Sequence, residues 1–412
     1  MDDASPEPIA LAPDDASPEP IALAPRARHI VMLLENFTYP EDTRVRNEAE
    51  SLVAGGHRVT VLAPRGDGQV SRERLRGVEV RRYRTVWAGR SPWSYVLEYG
   101  IAHLQLTARS LAAVVRGADT LHLNGPPDTL ALAGILGRLL GSRVVYDMHD
   151  SGPELFAAKF GTGKLGGALA RAMLAAQVGA VSCAHQVIVT NETQRELAIA
   201  RGKRSPQDVT VVRNGPRISE FPDPLSGRPG ELAAPKLVYV GTLDVQDGVL
   251  ELPEILRARA LARAHLTIVG KGAAQAELLA RCRRAGVEDR VTFTGHVPHA
   301  RVAALIADAD VGIDPAPGTE LNHGSTMIKV AEYMGAGRPV VAYDLRETRR
   351  TAGDAALLAP CGDRQTFVDL IADLAHDGER RLHFGRLART RALELTWDRS
   401  EEALRAVYAR LG

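Results

Sequence analysis

The chain has 412 residues, with 51 Lys and Arg against 50 Asp and Glu, and 45% of its residues are hydrophobic. That length predicts two or three domains with full cores, and the cancelled charge excludes a general attraction to nucleic acid. Cys183, Cys282 and Cys361 lie far apart without metal-ligand spacing, and no apolar run approaches the roughly 18 residues of a membrane span. Sparse, odd cysteines and the lack of a basic segment before an apolar core make a cytoplasmic location the expectation.

Residues 2–13, DDASPEPIALAP, recur unchanged as 14–25. An acidic, Pro-rich duplicate with no helical or strand period does not bury enough surface to order itself, so residues 1–27 read as a disordered leader. A first domain is expected over 28–215. It opens with a buried strand at His29–Leu34, an amphipathic helix at Thr43–Ala54 stopped by Gly55-Gly56, and a strand at Val59–Ala63. Further strands are expected at Val78–Arg82, Thr120–Leu123, Arg143–Met148, Gln186–Val189 and Val209–Val212. Helices are expected between them at Leu97–Val115, Thr129–Leu140, Leu165–Val181 and Thr193–Ala200. Residues 216–235 carry five prolines and read as a linker. Alternation restarts over 236–390. Strands are expected at Lys236–Tyr239, His265–Val269, Val291–Phe293, Val311–Asp314, Val340–Tyr343 and Ala355–Leu358, with helices at Leu252–Ala262, Ala274–Ala285, Arg301–Ala307 and Ser325–Ala336. From Leu370 the pattern is helical, broken near Thr396-Trp397, and 391–412 is the last helix. The fold class is therefore α/β, two tandem doubly wound Rossmann-like domains facing across a cleft, with ligand at the carboxyl ends of the strands.

The loops after the strands carry the chemistry. In the second half, Gly241-Thr242, Gly270-Lys271-Gly272, Gly295-His296 and Gly324-Ser325 offer glycines where backbone can approach a ligand. They lead to a helix with Asn322 or Ser325 as cap. Ser325, Lys329 and Glu332, at i, i+4 and i+7, share a face there. Free amides and a cation followed by a carboxylate suit a diphosphate followed by a ribose; the alternative is a surface face with an ordinary Lys–Glu pair. In the first half, His149 ends a buried strand and is a candidate to donate a hydrogen bond to a substrate hydroxyl or to share a proton near a carboxylate, or else is a satisfied structural histidine. His122 reads as structural. Arg44 and Arg46 either reach phosphate or form surface pairs. Asn124, Asp150 and Arg213 join Arg44 as candidate phosphate or acceptor contacts. Gly161-Thr162-Gly163-Lys164 lacks the rest of a phosphate loop, and Asp308-Ala309-Asp310 reads as a helix end. No clustered His, Cys and Glu set proposes a metal, and the first strand lacks a Gly-x-Gly-x-x-Gly successor.

Taken in order, these segments resemble family 4 of the retaining nucleotide-sugar glycosyltransferases: Tyr146-Asp147-Met148-His149-Asp150, Val212-Arg213-Asn214-Gly215, Val240-Gly241-Thr242-Leu243, Ile268 to Gly272, Phe293 to Val297, and Ser325 to Met334. The likeness runs from about residue 28 to the C-terminus. It implies a GT-B fold, metal-independent catalysis, no cofactor beyond the nucleotide-sugar cosubstrate, and a last helix crossing back to the first domain. By the same resemblance, Glu332 holds the ribose, the amides of Thr326, Met327 and Ile328 face the β-phosphate, and His149 contacts the transferred sugar. Gly295, His296 and Val297 would lie beside the nucleobase, and Gly241, Thr242, Gly270 and Gly272 near the donor.

Two departures stand out. The first Glu of the family's Glu-x7-Glu motif falls at Gly324, and the usual basic residues of the first loop of the second domain correspond to Thr242 and Asp247. Lys329 is the candidate replacement cation, with Arg213 or Arg44 behind it. The expected partners are a nucleoside diphosphate sugar, a UDP-sugar first, and an acceptor such as a polysaccharide or lipid intermediate or a small natural product. A catalytically inactive nucleotide-sugar-binding or partner-activating protein and a nucleotide-sugar epimerase are the alternatives. A peripheral membrane contact through Arg81, Arg82, Arg84 and Arg90 beside Trp87, Trp93 and Tyr95 is a further expectation.

Overall fold

A computed structural model describes residues 27–84, 92–155, 164–221 and 230–411. The leader, the middle of the linker, the Gly161–Gly163 segment, Trp87 and Arg90 lie outside the described residues, as do the side chains of Trp93 and Tyr95. The first domain runs β1 (His29–Leu33), α1 (Thr43–Ala54), β2 (Arg58–Pro64), β3 (Arg72–Leu75), β4 (Val78–Tyr83), α2 (Pro92–Val115), β5 (Thr120–Gly125), α3 (Ala131–Leu139) and β6 (Arg143–Met148). It continues through α4 (Lys164–Cys183), β7 (Gln186–Val189), α5 (Glu192–Gly202) and β8 (Val209–Val211). The second domain runs β9 (Lys236–Val240), α6 (Leu252–Leu256), β10 (His265–Val269), α7 (Gln275–Ala285), β11 (Val291–Gly295), α8 (His299–Asp308) and β12 (Val311–Asp314). It closes with α9 (Glu320–Gly324), α10 (Ile328–Gly335), β13 (Val340–Tyr343), α11 (Arg346–Ala352), β14 (Leu357–Ala359), α12 (Arg364–His376), α13 (Gly378–Glu394) and α14 (Trp397–Ala409).

The first sheet has the order β3-β4-β2-β1-β5-β6-β7-β8, and the second β11-β10-β9-β12-β13-β14. Every paired strand is parallel except the edge strand β3, which runs antiparallel to β4. Helices cover both faces, so the central strands are buried throughout and read as continuous apolar runs. In each sheet the chain reverses its winding direction beside a central strand, between β1 and β5 in the first and between β9 and β12 in the second. Loops splay apart at such switch points, and the two openings face each other.

The helix α14 leaves the second domain and joins the core of the first. Trp397, Leu404, Val407 and Tyr408 pack with Ile30, Val45, Ala49 and Leu52, and the Trp397 indole donates to Ser51 Oγ at 3.1 Å. No described helix is long and apolar enough to cross a membrane.

Three local expectations are corrected. The segment 252–262 is a short helix followed by a separate turn, because Ala258 takes an extended conformation. The strand β3 has the sequence Arg-Glu-Arg-Leu, a charged edge without an apolar alternation to betray it. The helix expected from Ser325 begins instead at Ile328, with Met327 as its cap and no side-chain capping bond. Ser325 ends the separate turn of helix α9, and its hydroxyl donates back to Leu321 O at 2.8 Å, the i−4 bond that competes with capping.

Candidate functional site

A cleft of about 620 Å³ lies between the two switch points. Its first wall is built from the loops after β1, β6, β7 and β8 and the start of α1, including Asp42, Arg46, His149, Asp150, Asn214 and Arg217. Thr242 and Asp247 after β9, Asn322 to Ile328 apart from His323 and Gly324, His299 and Glu332 form the second wall.

His149 is placed by the end of β6. Its amide donates to Gly125 O at 2.9 Å, and its Nε2 lies 2.7 Å from Asp147 Oδ2. Asp147 is fully buried. Burial alone would raise this carboxyl, but Arg44, then His149 and His122, outweigh it and hold the group well below the usual carboxylate range. Arg44 does this through a bidentate pair, Nε to Oδ2 at 2.8 Å and Nη2 to Oδ1 at 2.7 Å. Beside His149, burial raises the Asp150 carboxyl.

Arg44, although its side chain edges the cleft, is therefore committed to the protein: its Nη1 also donates to Val212 O and Asn214 Oδ1. Arg46 and Arg217 line the same wall, and Arg217 Nη2 donates to Asn47 Oδ1 at 3.0 Å. The trio Glu48, His122 and Asp147 has ligand atoms within 4.8 Å of one another. Arg44 already supplies their positive charge, lying 3.2 Å from Glu48 and 2.7 Å from Asp147. Both Asp147 oxygens are occupied by donors, so these residues do not fit a metal ion.

On the second wall, Glu332 faces the cleft from α10. Burial pushes its carboxyl up to about 7, against the opposing pull of His299 and Lys329. His299, at the start of α8, pairs with Glu220 at 2.8 Å. Amides of the first turn of α10 lack intrahelical acceptors by construction and point along the helix axis; Thr326, Met327 and Ile328 bring that end to the cleft.

The expected common face of Ser325, Lys329 and Glu332 is corrected. Ser325 is not on the helix, and Lys329 turns inward, buried, toward Asp314 at 3.3 Å and Asp247 at 3.7 Å. Its ammonium sits 4.8 Å from the Tyr239 ring centre. Burial pulls Lys329 down, but Asp314 and Asp247 outweigh it and leave it raised. Two acids on one cation leave a phosphate little to gain there.

The other expected donor residues divide by location. Thr242, Thr326, Met327 and Ile328 line the cleft; Gly241, Gly270, Gly272, Gly295, His296 and Val297 do not. A Cβ on Gly270 would overlap Gly241 O, and one on Gly272 would overlap Leu243 O. Those glycines serve backbone-to-backbone packing inside the domain. At Gly241, with φ +148°, a Cβ would come 3.0 Å from the Lys329 Cε. Asn124 is buried and donates to Leu33 O at 3.0 Å, and Arg213 also stands off the cleft, its guanidinium lowered by burial with Glu347 opposing. At Gly324 the carbonyl receives Asn191 Nδ2 across the domain junction. The residues that the sequence reading passed over are Arg217, Glu220 and His299. Arg217 follows Asn214-Gly215-Pro216 after a strand end, the signal that would have found it.

The glycosyl transferase 4-like domain signature matches residues 42–215, and that of the glycosyl transferases group 1 matches residues 234–377. The chain belongs to the family 4 glycosyltransferases. This glycosyltransferase is 36% identical over 138 residues to the phosphatidyl-myo-inositol mannosyltransferase of Mycobacterium leprae, which is 33% of each chain. It is 33% identical over 115 residues to the 2-deoxystreptamine N-acetyl-D-glucosaminyltransferase of Streptomyces fradiae, covering 27% of this chain and 26% of that one. The matched stretches thus span about a third or less of these curated relatives. Among solved structures, HepE of Anabaena in complex with UDP-glucose superposes with a TM-score of 0.66 at 16% identity, over 92% of this glycosyltransferase and 98% of that chain. That likeness, with its GT-B neighbours, establishes the fold.

Proposed function

We propose that the chain transfers a glycosyl group from a nucleoside diphosphate sugar, a UDP-sugar first, to an acceptor hydroxyl with retained anomeric configuration. The observation that carries this reading is the meeting of Glu332, the amide end of α10 and His149 in one interdomain cleft. In it, Glu332 receives the ribose hydroxyls and the α10 amides receive the β-phosphate. Arg46 and Arg217 replace Lys329 as the cations facing the diphosphate. The bond from the anomeric carbon to the diphosphate oxygen breaks. The acceptor oxygen bonds on the same face, and its proton passes to the departing diphosphate. Donors aimed at the leaving oxygen supply the preorganised stabilisation that such transfers need, so this reading requires no metal and no cofactor. UDP is favoured by its presence in the HepE structure.

Calorimetry with UDP, GDP, ADP and TDP, followed by transfer from a labelled donor, tests it. Glu332→Ala is expected to weaken nucleotide binding about 10- to 100-fold, the value of hydrogen bonds to a charged group. Unchanged affinity removes Glu332 from the donor site. Binding without transfer or hydrolysis of any donor would leave a nucleotide-sugar-binding protein instead.

A further inference from the structure

A buried polar cluster lies directly behind His149, and its connections are more specific than a structural ion pair requires. Asp147 Oδ1 takes one Arg44 donor; Oδ2 takes the other together with His149 Nε2. Deeper in, Glu48 is fully buried, and neither of its carboxylate oxygens has a hydrogen-bond partner. It lies 3.5 Å from His122 Nε2, and that nitrogen is 3.9 Å from Asp147. His122 Nδ1 is 2.7 Å from the Tyr408 hydroxyl, delivered by α14 after the chain has passed through the second domain.

We propose that Asp147 is the positioning residue of His149. It fixes the ring so that Nε2 carries the hydrogen into the protein and Nδ1 offers a lone pair to the cleft. The proposal rests on the reading that the cleft takes a nucleotide sugar, and it specifies the contact: His149 accepts a hydroxyl hydrogen of the transferred sugar.

The assignment follows from counting donors. An ionised carboxylate only accepts, so the His149 nitrogen facing it at 2.7 Å must donate. In a neutral imidazole the second nitrogen is then an acceptor. Asp147 stays ionised because both its oxygens face the Arg44 guanidinium. Arg44 is itself immobilised by Val212 O and Asn214 Oδ1. Burial, and Asp147 beside it, push the Glu48 carboxyl up, against the pull of Arg44 3.2 Å away. Burial keeps the Tyr408 hydroxyl protonated 2.7 Å from His122 Nδ1, and the other ring nitrogen of His122 is turned toward the two acids. The titratable and charged groups around His149 are therefore Asp147 on β6, Asp150 in the following loop, His122 on β5, and Arg44 and Glu48 on α1.

The test is nitrogen NMR of the full chain with labelled histidine, the His149 signal being identified by its loss in His149→Gln. The expected spectrum has Nε2 protonated and Nδ1 bare near neutral pH; a hydrogen on Nδ1 overturns the proposal, and no variant of the cluster need fold for this reading. Asp147→Asn is then expected to move the hydrogen to Nδ1 and lower kcat about 100-fold, roughly the worth of the one hydrogen bond turned the wrong way. The dissociation constant for UDP, which keeps the ribose but lacks the transferred sugar that His149 would contact, is expected to change less than about twofold. Equal losses of kcat and UDP affinity, or an unmoved tautomer, would sink the positioning role. Absence of UDP binding by the unsubstituted protein would instead fail the donor-site reading and leave the tautomer result standing.

Discussion

At Glu332, if it holds the ribose as proposed, binding and stability pull in opposite directions. Its carboxyl has an ordinary value of 4.5 and is raised to about 7, chiefly by burial, with His299 and Lys329 opposing and Glu220 adding to the rise. A carboxyl raised on folding binds a proton that the unfolded chain has lost. Between about pH 4.5 and 7 the empty protein therefore loses stability as pH rises, and the penalty is complete above 7. Ribose hydroxyls donate to an ionised carboxylate, so nucleotide affinity is expected to climb over the same window and level off above it. Glu332→Gln should raise the melting temperature of the empty protein at pH 8 and reduce the pH dependence of UDP binding to that of the nucleotide's own terminal phosphate. Calorimetry from pH 6 to 8 beside thermal melts checks both, and a pH-independent affinity in the unsubstituted chain would refute the ionisation argument. Glu332 lines the cleft, but without the shared face with Ser325 and Lys329 from which the sequence pattern placed it. Lys329 was not legible, since Asp314, at the end of β12, and Asp247, in the loop after β9, draw it inward from elsewhere in the chain. Arg44 shows the same blindness: its partner Asp147 is 103 positions away.

At the scale of elements, the parallel strands were legible nearly to their ends, since burial on both faces leaves uninterrupted apolar runs. The loop entering α10 was not. There Thr319 caps a separate turn through its hydroxyl, and Asn322 Nδ2 ties that turn to Gln246 O at 2.8 Å and Pro317 O at 2.9 Å. A sequence pattern scores Asn322 and Ser325 as caps by type; Asn322 is taken instead by a carbonyl 76 positions away, and Ser325 bonds back to Leu321 O. Asn322 thus holds two cleft loops, one after β9 and one after β12, in a single arrangement. Asn322→Ala frees two carbonyls and should cost about 1–3 kcal/mol of stability and lower UDP affinity; Asn322→Asp, which loses the same donors and sets a carboxylate against both carbonyls, should lose at least as much. Melts and calorimetry on both variants decide the point; undiminished affinity in the Ala variant would show that the loop holds its shape without this tie.

Across the whole molecule, two kinds of connection join the domains, and they sit in different places. Both chain crossings lie against each other: Trp397 N donates to Pro216 O at 3.3 Å, and a Cβ on Gly215 would overlap Leu395 O. Such contact makes a pivot, because the backbones at that point have no room to separate. A polar clasp lies elsewhere along the junction. Asn191 Nδ2 donates to Gly324 O and to Thr326 Oγ1, each at 3.0 Å, while the Thr193 amide and hydroxyl and Arg350 all donate to the buried Glu347 Oε1. Arg350 with Glu196 adds an exposed pair of small value. Because Thr326 belongs to the loop offered to the diphosphate, closing the clasp and shaping that loop are one event. Asn191→Asp separates this from helix stability: its Oδ1 can still cap α5 by accepting from Gln194 N at 2.8 Å, as Asn191 does. The donors to Gly324 and Thr326 are lost, and a carboxylate faces a carbonyl instead. Asn191 is fully buried, so the uncompensated charge is expected to lower the melting temperature, to increase the radius of gyration in small-angle scattering without ligand, and to raise the donor KM about tenfold or more. UDP at saturation should restore most of the compactness, since the ligand bridges both walls. If scattering and KM both stay unchanged, the α14 packing and the Glu347 bonds alone hold the domains together, and Asn191 serves only as a helix cap.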